Sequence, residues 1–395
     1  MKRFFSYSIL SFFLLLLPTG QASANNNDSI RLSLLTCAPG EEIYSLFGHT
    51  AIRYENSSQG IDVVFNYGLF SFNTPNFIFR FSLGETDYQL GATDYERFAA
   101  EYAFFGRSVW QQTLNLTDEE KTELIRLLQE NYRPENRVYR YNFFYDNCAT
   151  RPRDKIEESI AGKVVYPAEP QDGSLTFRDI VHQYCKGHPW ARFGIDLCIG
   201  SEADQPITQR QMMFAPFYLM DAFDGAQIKG DSIQRPLITA NELIVDATPE
   251  PDESDWMPTP LQCSLLLFIL TAAATIYGIR RRTGLWGIDL FLFGIAGIVG
   301  CVLAFLALFS QHPAVSSNFL LLVFHPGQLL FLPYIIYCVR KGKKCWYLTL
   351  NLAVLTLFIV LFPVIPQRFD FAVVPLALVL LIRSASNLIV TSKKK

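Results

Sequence analysis

The spacing of apolar and polar residues changes character several times along the chain. In "HTAIRYE" (49–55) and "IDVVFNYGLF" (61–70) the two kinds alternate with a period of two, which predicts a pair of strands joined by the turn-forming "NSSQG". "LTDEEKTELIRLLQENY" (116–132) repeats at helical spacing instead. Leu124, Leu127 and Leu128 share one face, and Thr117 and Glu120 stand in the capping-box relation. "CATRPRDKIEESIAG" (148–162) predicts a second helix, with Asp146 or Asn147 as its cap, Pro152 near its start and Gly162 at its end. No repeat of 20 to 50 residues is visible, so this half of the chain reads as α+β.

From about Leu261 the alternation gives way to apolar runs of the ~20 residues that a hydrocarbon layer of ~30 Å requires. Five runs are predicted to span a membrane, near 261–279, 288–309, 317–339, 346–363 and 370–391. Three connections are basic, "RRR" (280–282), "RKGKK" (340–344) and "KKK" (393–395), whereas the other two carry Arg368 against Asp370. The positive-inside rule places the basic connections in the cytoplasm and the residues before the first span outside it. The first 24 residues agree: Lys2 and Arg3, a short apolar run and Ala22-Ser23-Ala24 have the form of a cleaved export signal. Asn25 would head the mature chain, so the protein is not expected to be a lipoprotein itself. The expected organisation is an export signal at 1–24, an exported domain at 25–247, a linker at 248–260 rich in proline and acid, and five helices at 261–395 with a cytoplasmic C-terminus.

Charge sharpens this division. Half of the 395 residues are hydrophobic, and the net charge of -3 hides two unlike halves. Residues 256–395 hold 12 basic and 2 acidic side chains, and the exported part holds most of the acid. No nucleic-acid partner, metal or cofactor is expected.

The candidate chemistry centres on "YDNCATRPRD" (145–154), where Cys148 follows two polar residues and enters a helix. The start of a helix offers free N–H groups and a partial positive charge, which favour a thiolate. A thiol nucleophile also needs a histidine to take its proton. The exported region offers His49, His182 and His188, and His49 is favoured because it begins a strand from which its ring can project toward a helix end. Asn66, on the next strand, is the candidate to orient that ring, with a plain turn-forming role as its alternative. "HQYCKGHPW" spaces His182, Cys185 and His188 loosely like metal ligands, but nothing nearby completes a set of four. Cys185 is expected either to pair with Cys198 or to be simply buried, and Cys37 has no assigned role.

In the membrane half, His312 stands at the outer end of the second span and His325 lies two turns into the third, ahead of Pro326 and Gly327. Ionisable groups within a span usually face a cavity or a partner, and Pro-Gly suggests a broken helix. His312, Asn318 and His325 are therefore expected to line a lipid-headgroup pocket beneath Cys148, against the alternative that His312 is a solvated loop residue and His325 an interhelical hydrogen bonder. Arg151 is a further substrate-binding candidate.

A histidine strand, then a polar residue on the next strand, then a cysteine at a helix start is the reverse of a papain-like order, and it resembles the permuted thiol enzymes related to lecithin:retinol acyltransferase. More closely, "FGHTAIR", "FNYGLF", "YDNCATRPRD", "TFRDIV", "GIDLCIG" and "MMFAPFYL", followed by several spans, resemble the Lnb family of bacterial lipoprotein N-acyltransferases. That resemblance implies a permuted papain-like exported domain and a thioester mechanism. Cys148, deprotonated by His49, would take an acyl chain from a membrane phospholipid and pass it to the α-amino group of a diacylated lipoprotein's N-terminal cysteine. The protein would sit in the bacterial inner membrane. A cell-wall cysteine amidase or peptidase, and a lipid-binding membrane protein without enzymatic activity, are the alternatives.

Overall fold

A computed structural model describes residues 29–73, 75–168, 175–230, 234–247 and 257–392. The expected export signal, most of the expected linker and Lys393–Lys395 lie outside the described residues.

The exported half is built on a seven-stranded antiparallel sheet. Its strands are β1 (Ile30–Cys37), β2 (His49–Asn56), β3 (Ile61–Leu69), β4 (Asp87–Asp94), β5 (Val109–Leu114), β6 (Val138–Arg140) and, after the short β7 (Lys163–Val165), β8 (Gln227–Lys229) and β9 (Gln234–Pro236) of a second sheet, β10 (Ile238–Val245). The order in the large sheet is β10-β5-β1-β2-β3-β4-β6. β2 and β3 are the pair expected from the alternating pattern, and they align Ala51 with Asn66.

Alternation sends Leu32, Leu34, Ile52 and Tyr67 to one face, where they bury against helices α3 (Asp118–Tyr132), α4 (Thr150–Ser159) and α8 (Pro216–Asp224) through Leu124, Leu128, Ile156 and Phe223. Leu35, Cys37, Ala51, Val64 and Val109 take the other face and meet Phe98 of α2 (Tyr95–Phe104). The capping box of α3 is present, with Thr117 and Glu120 each bonding the other's backbone N–H. A short helix, α1 (Phe77–Leu83), links β3 to β4 at the end of the sheet where β2 begins.

A second lobe holds α5 (Phe177–Tyr184), α6 (Pro189–Cys198) and the one-turn α7 (Gln209–Met212). Its centre is Arg178, which is fully buried and donates to Asp196 (2.6 Å), to Asp204 (2.8 Å) and to the carbonyls of Ile199 and Gly200. This lobe is also the seat on the membrane half. Gly200 N–H donates to Ala314 O (2.6 Å), Ser201 N–H to Ser317 O (2.9 Å), and Arg368 bridges Asp179 (2.6 Å) and Asp204 (3.0 Å).

The membrane half contains α9 (Pro260–Arg281), α10 (Trp286–Phe309), α11 (Gly327–Leu330), α12 (Leu332–Lys341), α13 (Trp346–Leu361) and α14 (Val373–Ser392). Four helices are long and apolar enough to cross a membrane, and a fifth span arises if Phe319–Leu330 and Leu332–Lys341, bent by 73°, count as one. The chain is non-helical at residues 323–326, so the expected break at Pro326-Gly327 is present, while the 73° bend itself falls at Phe331; the five segments match the five apolar runs. The basic connections gather at one end: Arg340 lies over the Trp286 ring (5.1 Å), and Asn387 donates to Lys343 O (3.2 Å). Within the bundle, Arg383 and Asp289 neutralise each other through bonds of 2.7 and 3.1 Å, as charges inside a span must.

Removing Arg178 would leave Asp196 with only His182 and Asp204 with only Arg368, a loss toward the lower end of roughly 3–5 kcal/mol. Arg178→Met should therefore lower the thermal unfolding temperature in nanodiscs clearly, and an unchanged melting curve would contradict the role given to this residue.

Candidate active site

The site is assembled where β2 begins. Gly48, directly before His49, has φ +76°, and a Cβ there would stand 2.5 Å from Cys37 O. Only glycine tolerates both, so "FGH" sets the angle at which the chain enters the strand. His49 Nε2 lies 3.1 Å from Asn66 Oδ1. Since a carbonyl oxygen only accepts, Nε2 carries the proton, and Nδ1 is left with its lone pair.

Cys148 is brought to the same strand end by the segment before α4. Asn147 Oδ1 accepts from the backbone N–H groups of Ala149 (2.8 Å) and Thr150 (2.9 Å), while its Nδ2 donates to Phe143 O and Phe214 O. Asn147 therefore caps the helix, as one of the two expected residues, and pins the loop. The backbone amides of Thr50, the residue after His49, and of Cys148 itself lie near enough to the sulfur to favour its thiolate. Gly68, with φ +92°, lies on β3 two residues beyond Asn66, and a Cβ at that position would be 3.5 Å from Cys148 Cβ. His49 and Asn66 thus stand on neighbouring paired strands, and Cys148 is brought beside the same strand end by a later segment of the chain.

Burial governs the electrostatics. It pushes the His49 imidazole down to about 4, assisted by the positive charge of Arg107 and opposed by the bond from Asn66. It pushes the Cys148 thiol up to about 11, against the two amides that favour the thiolate. The expectation that the helix start would lower this thiol's pKa is therefore corrected. Desolvation outweighs the helix end, and Asn147 has already taken up the amides of Ala149 and Thr150. At neutral pH the pair is a thiol and a neutral imidazole. Cys37, opposite His49 on β1, is likewise held as a thiol, its pKa pushed up to about 12 by burial.

The other sequence candidates are held by the protein itself. Arg151 forms a two-point ion pair with Asp146 (2.6 and 2.8 Å) and stacks on the Tyr139 ring (3.6 Å). His312 bonds through Nε2 to Phe81 O (2.5 Å), and Asn318 donates to Leu197 O (2.7 Å) at the junction of the two halves. His325 Nε2 lies 3.3 Å from Asn351 Oδ1, the interhelical bond of the alternative reading. Each of these three has a different partner. In the tract read as loosely metal-like, His182 bonds both oxygens of Asp196 (2.9 Å), and His188 lies 3.8 Å from Glu41. Cys185 and Cys198 are free thiols, so the suggested pairing is absent. Arg107 and the Thr50 amide were missed. Arg107 comes from a turn after α2 with no motif of its own, whereas a backbone amide could have been suspected from its place beside His49.

These features define a class: a membrane protein with an exported α+β domain that carries a half-buried cysteine and histidine and a buried asparagine at one sheet end, seated on a helical membrane domain. Residues 20–182 match the family profile described as the Lnb N-terminal periplasmic domain, and residues 252–395 match the Lnb transmembrane domain. The chain belongs to the Lnb family, and its exported half is periplasmic. No curated protein and no solved structure matches it.

A thiol pushed up to about 11 should react with iodoacetamide only through a scarce thiolate. Its alkylation rate, followed on the Cys148 peptide, should rise about a hundredfold from pH 7 to pH 9. A rate that levels off below pH 8 would show the thiolate to be already formed.

Proposed function

We propose that the protein is a lipoprotein N-acyltransferase of the bacterial inner membrane with Cys148 as its acyl carrier. The observation that supports this reading most is the placement of Cys148 against Gly68, two residues beyond Asn66, at the strand end where His49 and Asn66 are bonded.

In the first half-reaction, His49 Nδ1 takes the thiol proton as the sulfur attacks an ester carbonyl of a phospholipid. The carbon–oxygen ester bond breaks, the proton passes to the departing glycerol oxygen, and a lysophospholipid leaves an acyl thioester on Cys148. The Thr50 and Cys148 amides, which lie beside the sulfur, would hold the negative oxygen of the tetrahedral intermediate. In the second half-reaction the α-amino group of a diacylated lipoprotein's N-terminal cysteine attacks the thioester. Its proton returns through His49 to the sulfur, and an amide is released. Asn66, holding Nε2–H, keeps the lone pair of Nδ1 available throughout.

A resting neutral pair suits this chemistry. The proton moves only when a carbonyl is in place, and a buried thiol with a high pKa offers little thiolate to other electrophiles. No cofactor is needed, because the donor ester already holds the energy that the amide requires.

The test is mass spectrometry of lipoprotein N-termini in cells that depend on this protein for N-acylation. The parent should give an amide-linked acyl group, and Cys148→Ala should abolish it. His49→Ala should reduce it by about 10²- to 10⁴-fold, with both variants present in the membrane at parental abundance. N-acylation that persists in Cys148→Ala would refute the proposal.

A further inference from the structure

Helix α1 has the sequence "FIFRFSL" and none of its residues is buried. Ile78 is 81% exposed and Phe79 58% exposed, which a helix standing in water would not sustain. It lies on the outer end of α10, where Gln311 N–H donates to Leu83 O (2.8 Å) and the Phe79 and Phe305 rings are 6.0 Å apart. Between the two helices runs an open groove of about 920 Å³. Phe77, Ile78 and Phe79 form one wall, and Val302, Phe305 and Leu306 form the other.

Two further observations say what fills it. One wall is continuous with the lipid-facing surface of a span, since Val302, Leu308 and Phe309 are all exposed along α10. Whatever enters the groove from that side is hydrocarbon. At its inner end the groove meets a row of rings in contact: Phe77 with Phe70 (5.9 Å), Phe70 with Tyr88 (5.0 Å), and Tyr88 stacked on Tyr141 (4.1 Å). Phe70 stands two residues after Gly68, where a Cβ would lie 3.5 Å from Cys148 Cβ. The row of rings therefore runs from the inner end of the groove to the strand end beside Cys148.

We propose that the groove between α1 and α10 receives one acyl chain of a phospholipid from the periplasmic leaflet and leads it along this aromatic wall to Cys148. The donor would thus enter sideways without leaving the bilayer. This rests on the reading of Cys148 as acyl acceptor. It assigns α1, rather than the residues of the third span, to the capture of the donor.

The test uses the full-length protein in vesicles of phosphatidylethanolamine and phosphatidylglycerol containing a phospholipid with a photoactivatable group in one acyl chain. Label should concentrate on the peptides holding Phe77–Phe79 and Val302–Leu306, equally in the parent and in Cys148→Ala. Val302→Trp, which fills the groove, should reduce that labelling and raise the apparent KM for the phospholipid donor about tenfold, the equivalent of losing about two buried methylenes. Ile78→Asp provides a second variant with an intact span and should act in the same direction. Label spread evenly over all lipid-facing helices, or a donor KM unchanged in both variants, would overturn the proposal. Enriched labelling without any acylation of Cys148 would uphold the groove and refute the acyl-carrier reading.

Discussion

A single buried guanidinium holds the relation between the two halves of this protein. Arg178 has no exposed surface; its partner Asp196 is buried with it and Asp204 is half-buried. Such a charge is tolerated only when its donors are satisfied, which forces α5, α6 and the turn at Asp204 into one arrangement. Asp204 then also accepts from Arg368 of the last outer loop, and the carbonyls of Ala314 and Ser317 meet the turn at Gly200. The periplasmic domain is therefore seated on the bundle through a polar network that leaves little freedom of tilt. That seating brings the strand end with Cys148 to the side on which α1 meets the outer end of α10.

The site uses burial in the opposite sense from the network. Around Arg178 desolvation is offset by carboxylates, whereas around His49 and Cys148 no counter-charge offsets it, and both groups are neutral at rest. On the proposed mechanism, a thioester formed in such surroundings would be kept from water by the same apolar packing that raises the thiol pKa. Reactivity is thus tied to the arrival of a substrate carbonyl, which is an advantage for an acyl carrier exposed to the periplasm.

Much of this was legible in the residue pattern. Alternation exposed β2 and β3, the capping box located α3, and the apolar runs with their basic connections gave the spans, including the break before Gly327. Cys148, His49 and Asn66 could be singled out because each belongs to a local motif at an element boundary. What the pattern could not show was non-local. Whether a helix start lowers a thiol pKa depends on how much surface surrounds it, and the start of α4 is buried. Asn318 reads as a headgroup ligand from its place near a span, yet the carbonyl of Leu197, far away in sequence, takes its amide. The groove joins residues 77–79 to residues 302–306, and no spacing rule relates them.

The account turns on a covalent claim, and the mass of one peptide addresses it most directly. After incubation with phospholipid and no lipoprotein acceptor, the Cys148 peptide should be heavier by one acyl group. Neutral hydroxylamine should return it to its original mass, and added acceptor should do the same while gaining the acyl group itself. A Cys148 peptide that stays unmodified while acyl transfer proceeds would contradict the account.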